Sequence, residues 1–306
     1  MRRLAVVLAS DWETGERKSR VSDFERITMR DGRQLAFTEY GADQHGKPIF
    51  FCHGWPSCRL EGENFADAAA KSNGRLIAID RPGMGRSDFE PGRTLLDWPD
   101  DVCELADQLG ISEFHILGVS GGGPYVAACA YKIPQRLLGA SIVAGLSPMT
   151  NPRTKEGMRL MNRIVFSMGR YAPWLLGPVL SLMRSSLNSP KFLERMMSDL
   201  PDVDRAIITG ADAERILAMG QVSFSQGVDG NKVEGRIYAL PWGFELNEIA
   251  IPISIWQGLL DVNVPLSNGR ILTDEIPNAN ANFVEGEGHL SLIINKADAV
   301  IVDLLQ

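Results

Sequence analysis

The stretch FHILGVSGGGPYVAACA, residues 114–130, passes from an apolar run through a glycine cluster into an alanine-rich segment. One hydroxyl group, that of Ser120, lies where these parts meet. Residues 118–122 read Gly-Val-Ser-Gly-Gly, which has the form Gly-x-Ser-x-Gly that is typical of a sharp strand-to-helix turn presenting a serine nucleophile. A glycine-rich loop in the same position can instead hold phosphate, and the two interpretations require different partners elsewhere in the chain.

The residues around the glycine cluster argue against a phosphate loop. A dinucleotide loop needs Gly-x-Gly-x-x-Gly and an acidic residue about 20 positions later. Ser120 occupies the middle glycine position here, and no Asp or Glu occurs between Glu113 and Glu156. A Walker loop needs Gly-Lys-Ser/Thr, but the glycines are followed by Pro124 and Tyr125. The sequence therefore favours a nucleophile.

A serine nucleophile needs a base, and the base needs an acid that orients it. On a Gly-x-Ser-x-Gly turn the expected chain order is Ser, then Asp or Glu, then His. The chain has four histidines, at positions 45, 53, 115 and 289, and only His289 follows Ser120. Asp261 follows the apolar run IPISIWQG, at the expected end of a strand. We predict Ser120, Asp261 and His289 as the catalytic residues.

An anionic intermediate on this serine would need two N–H donors. The backbone N–H of Gly121, next after the nucleophile, is one candidate. The other is expected in the loop His53-Gly54-Trp55-Pro56, and since Pro56 has no N–H we predict Trp55. The imidazole of His53 is expected to brace this loop. We also predict that Trp55, at the pocket mouth, and Pro124 contact the substrate.

The rest of the chain alternates short apolar runs with helix-like segments. A pair of β-like runs, 24–30 and 33–41, flanks Asp31-Gly32, which predicts a hairpin. Continuous rather than alternating hydrophobicity in the later runs predicts strands buried on both faces of a parallel sheet. Those runs are KPIFFCHG, GRLIAID, FHILGVS, LLGASIVAG, IPISIWQG and ANFVEGEG. Helices are expected over 59–71, 94–109, 121–132, 266–276 and 290–304, so the pattern indicates an α/β protein.

The alternation is interrupted between the fourth and fifth of these runs. Eight of the eleven methionines fall within residues 148–247, and several prolines divide this interval into short helices. We expect a helical cap over 148–247, a core formed by 23–147 and 248–306, and an N-terminal tail over 1–22. Methionine adapts to irregular partners, which suits a pliable apolar wall, although each methionine fits ordinary helical core equally well.

Composition narrows the function classes. The chain has 306 residues, 44% of them hydrophobic, and a net charge of −7, so nucleic acid is not an expected partner. Cys52, Cys58, Cys103 and Cys129 lack metal-type spacing, which predicts free thiols in a reducing, cytoplasmic setting. The longest apolar stretch, 171–183, is too short to span a bilayer. We expect a small-molecule substrate and no metal or cofactor, and a homo-oligomer stays open.

Five motifs taken together resemble the landmarks of the α/β-hydrolase fold superfamily. They are FCHGWP (51–56), AIDRPGMGRSD (78–88), GVSGGGP (118–124), GLLDVNVP (258–265) and GEGH (286–289). The resemblance covers about residues 24–306. It implies an eight-stranded, mostly parallel sheet flanked by helices, with 148–247 as the variable lid. HGWP is also similar to epoxide hydrolases, but their nucleophile is an aspartate and this chain has Ser120.

These observations predict a serine hydrolase that cleaves a carboxylic ester, or a related carbonyl compound, through an acyl-serine intermediate. Apolar residues of the cap, including Trp174 and Trp242, favour a small apolar substrate. Two alternatives stay open. The same fold hosts lyases, haloperoxidase-like enzymes and cofactor-independent oxygenases, and it could also serve a small-molecule sensor that retains a hydrolase pocket.

Overall fold

The computed structural model describes residues 24–208 and 210–306. Its strands in these residues are β1 (Glu25–Thr28), β2 (Gln34–Gly41), β3 (Lys47–Cys52), β4 (Gly74–Ile79), β5 (Phe114–Val119), β6 (Leu137–Val143), β7 (Ile253–Gly258) and β8 (Ala279–Val284). They form one sheet in the order β1-β2-β4-β3-β5-β6-β7-β8. The predicted tail, 1–22, lies outside the described residues.

The sheet is parallel except at one edge. Strands β3 to β8 pair in parallel with their neighbours, whereas β2 pairs antiparallel with both β1 and β4. Every residue of β4 and β5 is buried, which explains why these strands read as continuous apolar runs. The expected eight-stranded, mostly parallel sheet is therefore confirmed. The predicted hairpin is also present, with Thr28 opposite Gln34 and Gly32 at a φ of +90°.

Helices cover both faces of this sheet. Outside the interval between β6 and β7 they are α1 (Ala66–Lys71), α2 (Trp98–Gln108), α3 (Gly123–Lys132), α10 (Leu266–Glu275), α11 (His289–Asn295) and α12 (Ala297–Leu304). Three expected helices differ in detail. Residues 59–65 and 95–97 form 3₁₀ helices ahead of α1 and α2, and the segment expected as one helix over 290–304 is divided at Lys296.

The interval between β6 and β7 is helical, as expected. Its helices are α4 (Leu160–Tyr171), α5 (Pro173–Ser186), α6 (Pro190–Ser198), α7 (Asp202–Ile207), α8 (Gly210–Ser223) and α9 (Asp229–Ala239). We call residues 148–247 the insertion. Its methionines divide between the interior and the surface, since Met158 is buried and Met161 is exposed. Its division from the core at these boundaries stays a prediction.

Two apolar clusters lie on opposite faces of the sheet. One includes Trp98 and Tyr125 from α2 and α3, and the other includes Leu292 and Val300 from α11 and α12. This arrangement leaves the carboxyl ends of the parallel strands as one free edge, where the loops that carry polar residues converge. Within the described residues, no helix is long and apolar enough to cross a membrane. All four cysteines are unpaired thiols.

A buried ion pair joins the loop after β3 to the end of β4. Arg59 Nη1 lies 3.0 Å from Asp80 Oδ2, and both side chains are fully buried. The Asp80 carboxylate also accepts the backbone N–H groups of Arg59 and Arg86, at 2.7 and 2.8 Å. Removing one partner of such a pair leaves an uncompensated buried charge.

We expect Asp80→Ala to lower the free energy of unfolding by about 3–5 kcal/mol, because it strands the Arg59 guanidinium in the interior. The matched control is Asp298→Ala, which breaks the exposed Lys71–Asp298 pair at 2.9 Å and should cost less than about 1 kcal/mol. Urea denaturation followed by circular dichroism measures both. Equal losses in the two variants would contradict this assignment.

Candidate active site

Ser120 lies in a strained turn between β5 and α3. Its φ is +53°, in the left-handed region that side chains with a Cβ rarely adopt. The neighbouring glycines are required because there is no room for a side chain at their positions. A Cβ on Gly118 would lie 2.6 Å from the carbonyl oxygen of Gly122, and a Cβ on Gly122 would lie 2.0 Å from that of Cys52. The backbone is therefore folded tightly against β3, and the Ser120 side chain projects from the carboxyl edge of the sheet.

Asp261 and His289 form a buried pair at the same edge. His289 Nδ1 lies 2.6 Å from Asp261 Oδ2. The other carboxylate oxygen accepts the backbone N–H groups of Asn263 and Val264, at 2.8 and 2.9 Å. Since an ionised carboxylate only accepts, Nδ1 carries the ring proton, and Nε2 is left as the acceptor of the neutral ring.

The loops that carry this pair are locked to each other. The N–H of Leu260 donates to the carbonyl oxygen of Glu287 at 2.9 Å. A Cβ on Gly258 would lie 2.4 Å from the carbonyl oxygen of Gly288, so the two loops touch backbone to backbone. The 2.6 Å contact between Asp261 and His289 is thus set by main-chain packing between the ends of β7 and β8.

A carboxylate from the insertion caps the helix that begins at His289. Asp204, on α7, is fully buried. Its oxygens accept the backbone N–H groups of His289, Leu290 and Ser291, at 3.0, 3.1 and 2.9 Å. A Cβ on Gly288 would lie 2.5 Å from Asp204 Oδ2, so the carboxylate needs the glycine before the histidine. The insertion therefore holds the main chain of the candidate base.

The surroundings raise the basicity of the imidazole. Burial alone would lower the pKa of His289, but the charge and hydrogen bond of Asp261, followed by the charges of Asp204 and Glu61, hold its pKa above the usual value. The charged form of the ring is thereby stabilised, which is what a base that takes up a proton requires.

Glu61 is a second carboxylate that the sequence did not mark. Its Oε2 accepts the backbone N–H of Gly54 at 2.5 Å. A Cβ on Gly54 would lie 3.3 Å from both carboxylate oxygens of Glu61 and 3.4 Å from Ser120 Cβ. The side chains of Glu61 and Ser120 therefore lie close to the same point beside Gly54. Burial raises the pKa of Glu61, against the lowering effects of the Gly54 N–H and of His289.

The three predicted catalytic residues follow β5, β7 and β8, whose carboxyl ends share one edge of the sheet. The structure pairs Asp261 with His289 directly. Among the described residues no hydrogen bond joins the Ser120 hydroxyl to His289, and such bonds are often long before substrate binds. The catalytic role of the three residues stays a prediction.

Trp55 and Gly121, the predicted oxyanion donors, lie side by side. A Cβ on Gly121 would lie 3.2 Å from Trp55 N, 2.9 Å from Trp55 Cβ and 2.8 Å from the hydroxyl of Tyr238. In residues 24–208 and 210–306, the N–H of Trp55 has no hydrogen-bond acceptor. His53 braces this loop as expected, since its Nδ1 lies 2.8 Å from the carbonyl oxygen of Gly54. The donor roles stay predictions.

The predicted substrate contacts differ in their surroundings. The Trp55 indole packs beneath the insertion, with ring centroids 6.0 Å from Phe166 and 5.8 Å from Tyr238. Pro124 is buried in the first turn of α3. Of the two cap tryptophans, Trp174 is 69% exposed and Trp242 is 4% exposed. Contacts of Trp55 and Pro124 with a substrate stay predictions.

A cleft of about 630 Å³ lies against α9. The residues that line it include Arg93, Leu176, Arg236 and Trp242. None of Ser120, Asp261 and His289 lines this cleft. Its size thus carries no information about the space above Ser120. No group of three or more His, Cys, Asp or Glu side chains in the described part of the chain is arranged to hold a metal ion.

Comparison with known proteins identifies the fold family and several enzymatic relatives. A family model described as alpha/beta hydrolase fold matches residues 47–296. The chain is 25% identical over 259 residues to a proline iminopeptidase of Clostridioides difficile (strain 630), covering 81% of this chain and 85% of that protein. It is 24% identical over 298 residues to a non-heme haloperoxidase of Rhodococcus erythropolis, covering 91% and 97%.

Solved structures agree on the fold. A thermophilic esterase from Thermogutta terrifontis matches with a TM-score of 0.67 and 21% identity, over 92% of this chain and 98% of that one. An enol-lactonase from Burkholderia xenovorans LB400 matches with a TM-score of 0.68 and 18% identity, over 92% and 99%. At these identities the likeness concerns the fold alone.

We expect Asp204→Asn to lower the pKa of the His289 ring, because the amide keeps an acceptor oxygen but removes a negative charge that favours the imidazolium. It should also cost about 1–2 kcal/mol of stability through the weakened cap. Proton–nitrogen NMR of ¹⁵N-histidine protein reads the titration, with the His289 resonance identified by its absence in His289→Gln.

The matched control for this change is Asp202→Asn, which removes an exposed carboxylate from the same helix. It should leave the titration of His289 unchanged. An identical His289 pKa in wild type and Asp204→Asn would contradict the proposed electrostatic contact.

Proposed function

The chain belongs to the α/β-hydrolase fold family, and from that premise we propose that it is a serine hydrolase acting on a small apolar carboxylic ester or related carbonyl compound. The observation that carries the proposal is the buried 2.6 Å contact of His289 with Asp261, at the sheet edge where Ser120 is held in a left-handed turn. A paired imidazole and a strained serine at one edge are the parts that acyl transfer requires.

In the proposed acylation step, Ser120 Oγ attacks the substrate carbonyl carbon while His289 Nε2 takes the hydroxyl proton. Asp261 keeps the other ring proton on Nδ1 and stabilises the imidazolium. The carbonyl oxygen becomes an anion, which the N–H groups of Trp55 and Gly121 bind. The tetrahedral intermediate then breaks its bond to the alcohol, which leaves with the proton from His289.

In the proposed deacylation step, water enters beside the imidazole and attacks the acyl-serine. His289 removes a proton from the water, a second oxyanion forms in the same place, and the acid leaves as Ser120 recovers its proton. The raised pKa of His289 sets the expected pH dependence. Activity should rise with pH as the ring loses its proton, and it should be low where the imidazolium predominates.

We also propose that the insertion, residues 148–247, acts as the cap over this site and that the protein works in a reducing, cytoplasmic setting. Two contacts support the first proposal, those of Asp204 with the main chain at His289 and of Phe166 with Trp55. The four unpaired cysteines support the second.

A second candidate function is hydrolysis of a substrate that carries a basic nitrogen beside the scissile carbonyl. Glu61 favours it, because this carboxylate faces the same point above Gly54 as the Ser120 side chain. It has no Lys or Arg ion pair within the described residues. A relative named as a proline iminopeptidase is in keeping with this candidate.

We expect Ser120→Ala to lower turnover of a p-nitrophenyl ester by about 10³-fold or more, because the nucleophile is gone while binding is retained. Fluorophosphonate should label the wild type at Ser120 and leave the variant unlabelled. A burst of p-nitrophenol with a trapped acyl-enzyme favours hydrolysis over lyase, haloperoxidase-like and oxygenase chemistry and over a sensor with a retained pocket.

Ser181→Ala serves as the control, since this serine is exposed on α5 and bonds only its own helix, to the carbonyl of Gly177 at 2.8 Å. It should keep full turnover and labelling. If Ser120→Ala hydrolyses the ester as fast as the wild type, Ser120 has no part in the chemistry.

For the second candidate, we expect Glu61→Gln to lower kcat/KM for an ester with a free α-amino group by about 10-fold or more. The N-acetylated form of the same ester should lose less than about 3-fold, since it carries no charge for the carboxylate to bind. Steady-state kinetics on this substrate pair gives both ratios. Equal losses on the two esters would remove amine recognition from the role of Glu61.

A further inference from the structure

We propose that Arg81 is a positioning residue of the oxyanion hole, which holds and polarises the Gly54–Trp55 peptide group through a hydrogen bond to its carbonyl oxygen. Arg81 is itself held by Glu234, a carboxylate contributed by the insertion. This inference rests on the proposed function and deepens it, because it names side chains that prepare the Trp55 N–H for the anion.

The carbonyl of the Gly54–Trp55 peptide accepts two hydrogen bonds from buried groups. Arg81 Nη2 donates to Gly54 O at 2.9 Å, and His53 Nδ1 lies 2.8 Å from the same oxygen. A second guanidinium nitrogen, Nη1, donates to the carbonyl oxygen of His53. Two successive peptide groups are therefore fixed by one guanidinium, and the planar peptide then fixes the direction of the Trp55 N–H.

Hydrogen bonding also settles the protonation of His53. The backbone N–H of Arg81 donates to His53 Nε2 at 3.2 Å, so Nε2 accepts and Nδ1 carries the proton. Burial, and then the charge of Arg81, hold the pKa of His53 well below its usual value, so the ring is neutral. His53 therefore donates from Nδ1 to Gly54 O.

Donors at the oxygen of a peptide group draw electron density from its N–H end, which makes that N–H a stronger donor. The Gly54–Trp55 peptide group receives the hydrogen bonds of Arg81 and His53 at its oxygen. Its N–H, that of Trp55, has no acceptor among the described residues. Tyr238 lies between Arg81 and Gly121, the other candidate oxyanion donor. Its hydroxyl is 2.8 Å from the position of a Cβ on Gly121. Arg81 Nη2 lies 3.2 Å from that hydroxyl.

Glu234, on α9, anchors the cluster from the insertion. Its carboxylate lies 3.1 Å from Arg81 Nη2 and also pairs with Arg93. The hydroxyls of Tyr125 and Tyr238 donate to it as well. Burial would raise the pKa of Glu234, but the two guanidinium groups and the two hydroxyls hold it at about 2.

Within this cluster two guanidinium groups, those of Arg81 and Arg93, share the Glu234 carboxylate. Arg81, Arg93 and Glu234 are all buried, where charges act over longer distances than in water. The Arg81 guanidinium lies behind the Trp55 N–H, because it donates to the carbonyl oxygen of the same peptide group, and its positive charge would favour an anion bound at that N–H.

The test is the pair Arg81→Lys and Tyr238→Phe, assayed with a p-nitrophenyl ester and with a trifluoromethyl ketone that forms a hemiketal with the serine. Lysine keeps the charge but loses the fork that holds two carbonyls. We expect Arg81→Lys to lower kcat by about 10-fold or more and to weaken ketone inhibition by a similar factor, since both depend on the oxyanion. KM should change less than about 2-fold, because the ground-state ester needs no oxyanion.

Tyr238→Phe removes one support of Arg81 and should lower kcat by a few fold, about 3-fold to 10-fold. In the Arg81→Lys background the same change should have little further effect, because the contact between the Arg81 guanidinium and the Tyr238 hydroxyl is already lost. The acidic limb of the pH profile should stay in place in both variants, because neither change alters the carboxylates beside His289.

Arg59→Lys is the matched control, an equally buried arginine whose guanidinium pairs with Asp80. It should lose stability but keep kcat and ketone inhibition. Unchanged kcat and ketone inhibition in folded Arg81→Lys would overturn the inference, and so would a rise in KM with kcat preserved. If Arg81→Lys does not fold, unchanged ketone inhibition in Tyr238→Phe would overturn the inference instead.

Failure of this inference is distinguishable from failure of the proposed function. The serine mechanism fails when Ser120→Ala retains ester turnover. When Ser120→Ala is inactive and Arg81→Lys retains full kcat and ketone inhibition, the serine hydrolase stands and only the role of Arg81 is lost.

Discussion

The close contact between the ends of β3 and β5 is the constraint on which the candidate site depends. A Cβ on Gly122 would lie 2.0 Å from the carbonyl oxygen of Cys52, so the turn after β5 has no room for a side chain at that position. In the same turn Ser120 adopts the left-handed region, Ser120 Cβ lies 3.4 Å from the position of a Cβ on Gly54, and Gly121 lies beside Trp55. The candidate nucleophile and the candidate oxyanion donors thus lie around one backbone contact, and the strain at Ser120 is stored where chemistry is expected.

The insertion is connected to this site through two buried carboxylates. Asp204 binds the main chain at His289, and Glu234 holds Arg81, which binds the carbonyl of Gly54. Each carboxylate would be left without its partners in the low-dielectric interior if its helix moved away, and that costs free energy. The helices that carry these two residues are therefore expected to stay in place during turnover.

The sequence was sufficient for those features that local chemistry determines. Buried parallel strands produce uninterrupted apolar runs, so the sheet could be predicted. A strained serine turn requires glycines at fixed offsets, so the turn at Ser120 could be predicted as well. Chain order then singled out His289 and Asp261, which the structure brings to 2.6 Å. The division of the last helix at Lys296 has no such local signal, and a single helix was expected.

Asp204, Glu61 and Glu234 were not predicted, and the reason is physical. Each lies in a helical segment that carries other charged residues, where an exposed surface carboxylate has the same appearance in sequence. Their importance arises from tertiary contacts across 85, 7 and 153 positions of the chain, with His289, Gly54 and Arg81 respectively. No periodicity or spacing encodes such contacts.

Charges of opposite sign act on His289 and on the Gly54–Trp55 peptide group. On the side of His289, the carboxylates of Asp261, Asp204 and Glu61 raise the pKa of the imidazole and favour its protonated form. On the side of the Trp55 N–H, the Arg81 guanidinium supplies positive charge. Acyl transfer by a serine moves a proton toward the imidazole and negative charge toward the oxyanion. The carboxylates favour the protonated imidazole and Arg81 favours an anion at the Trp55 N–H, so the contacts that fix the two loops also favour the proposed reaction.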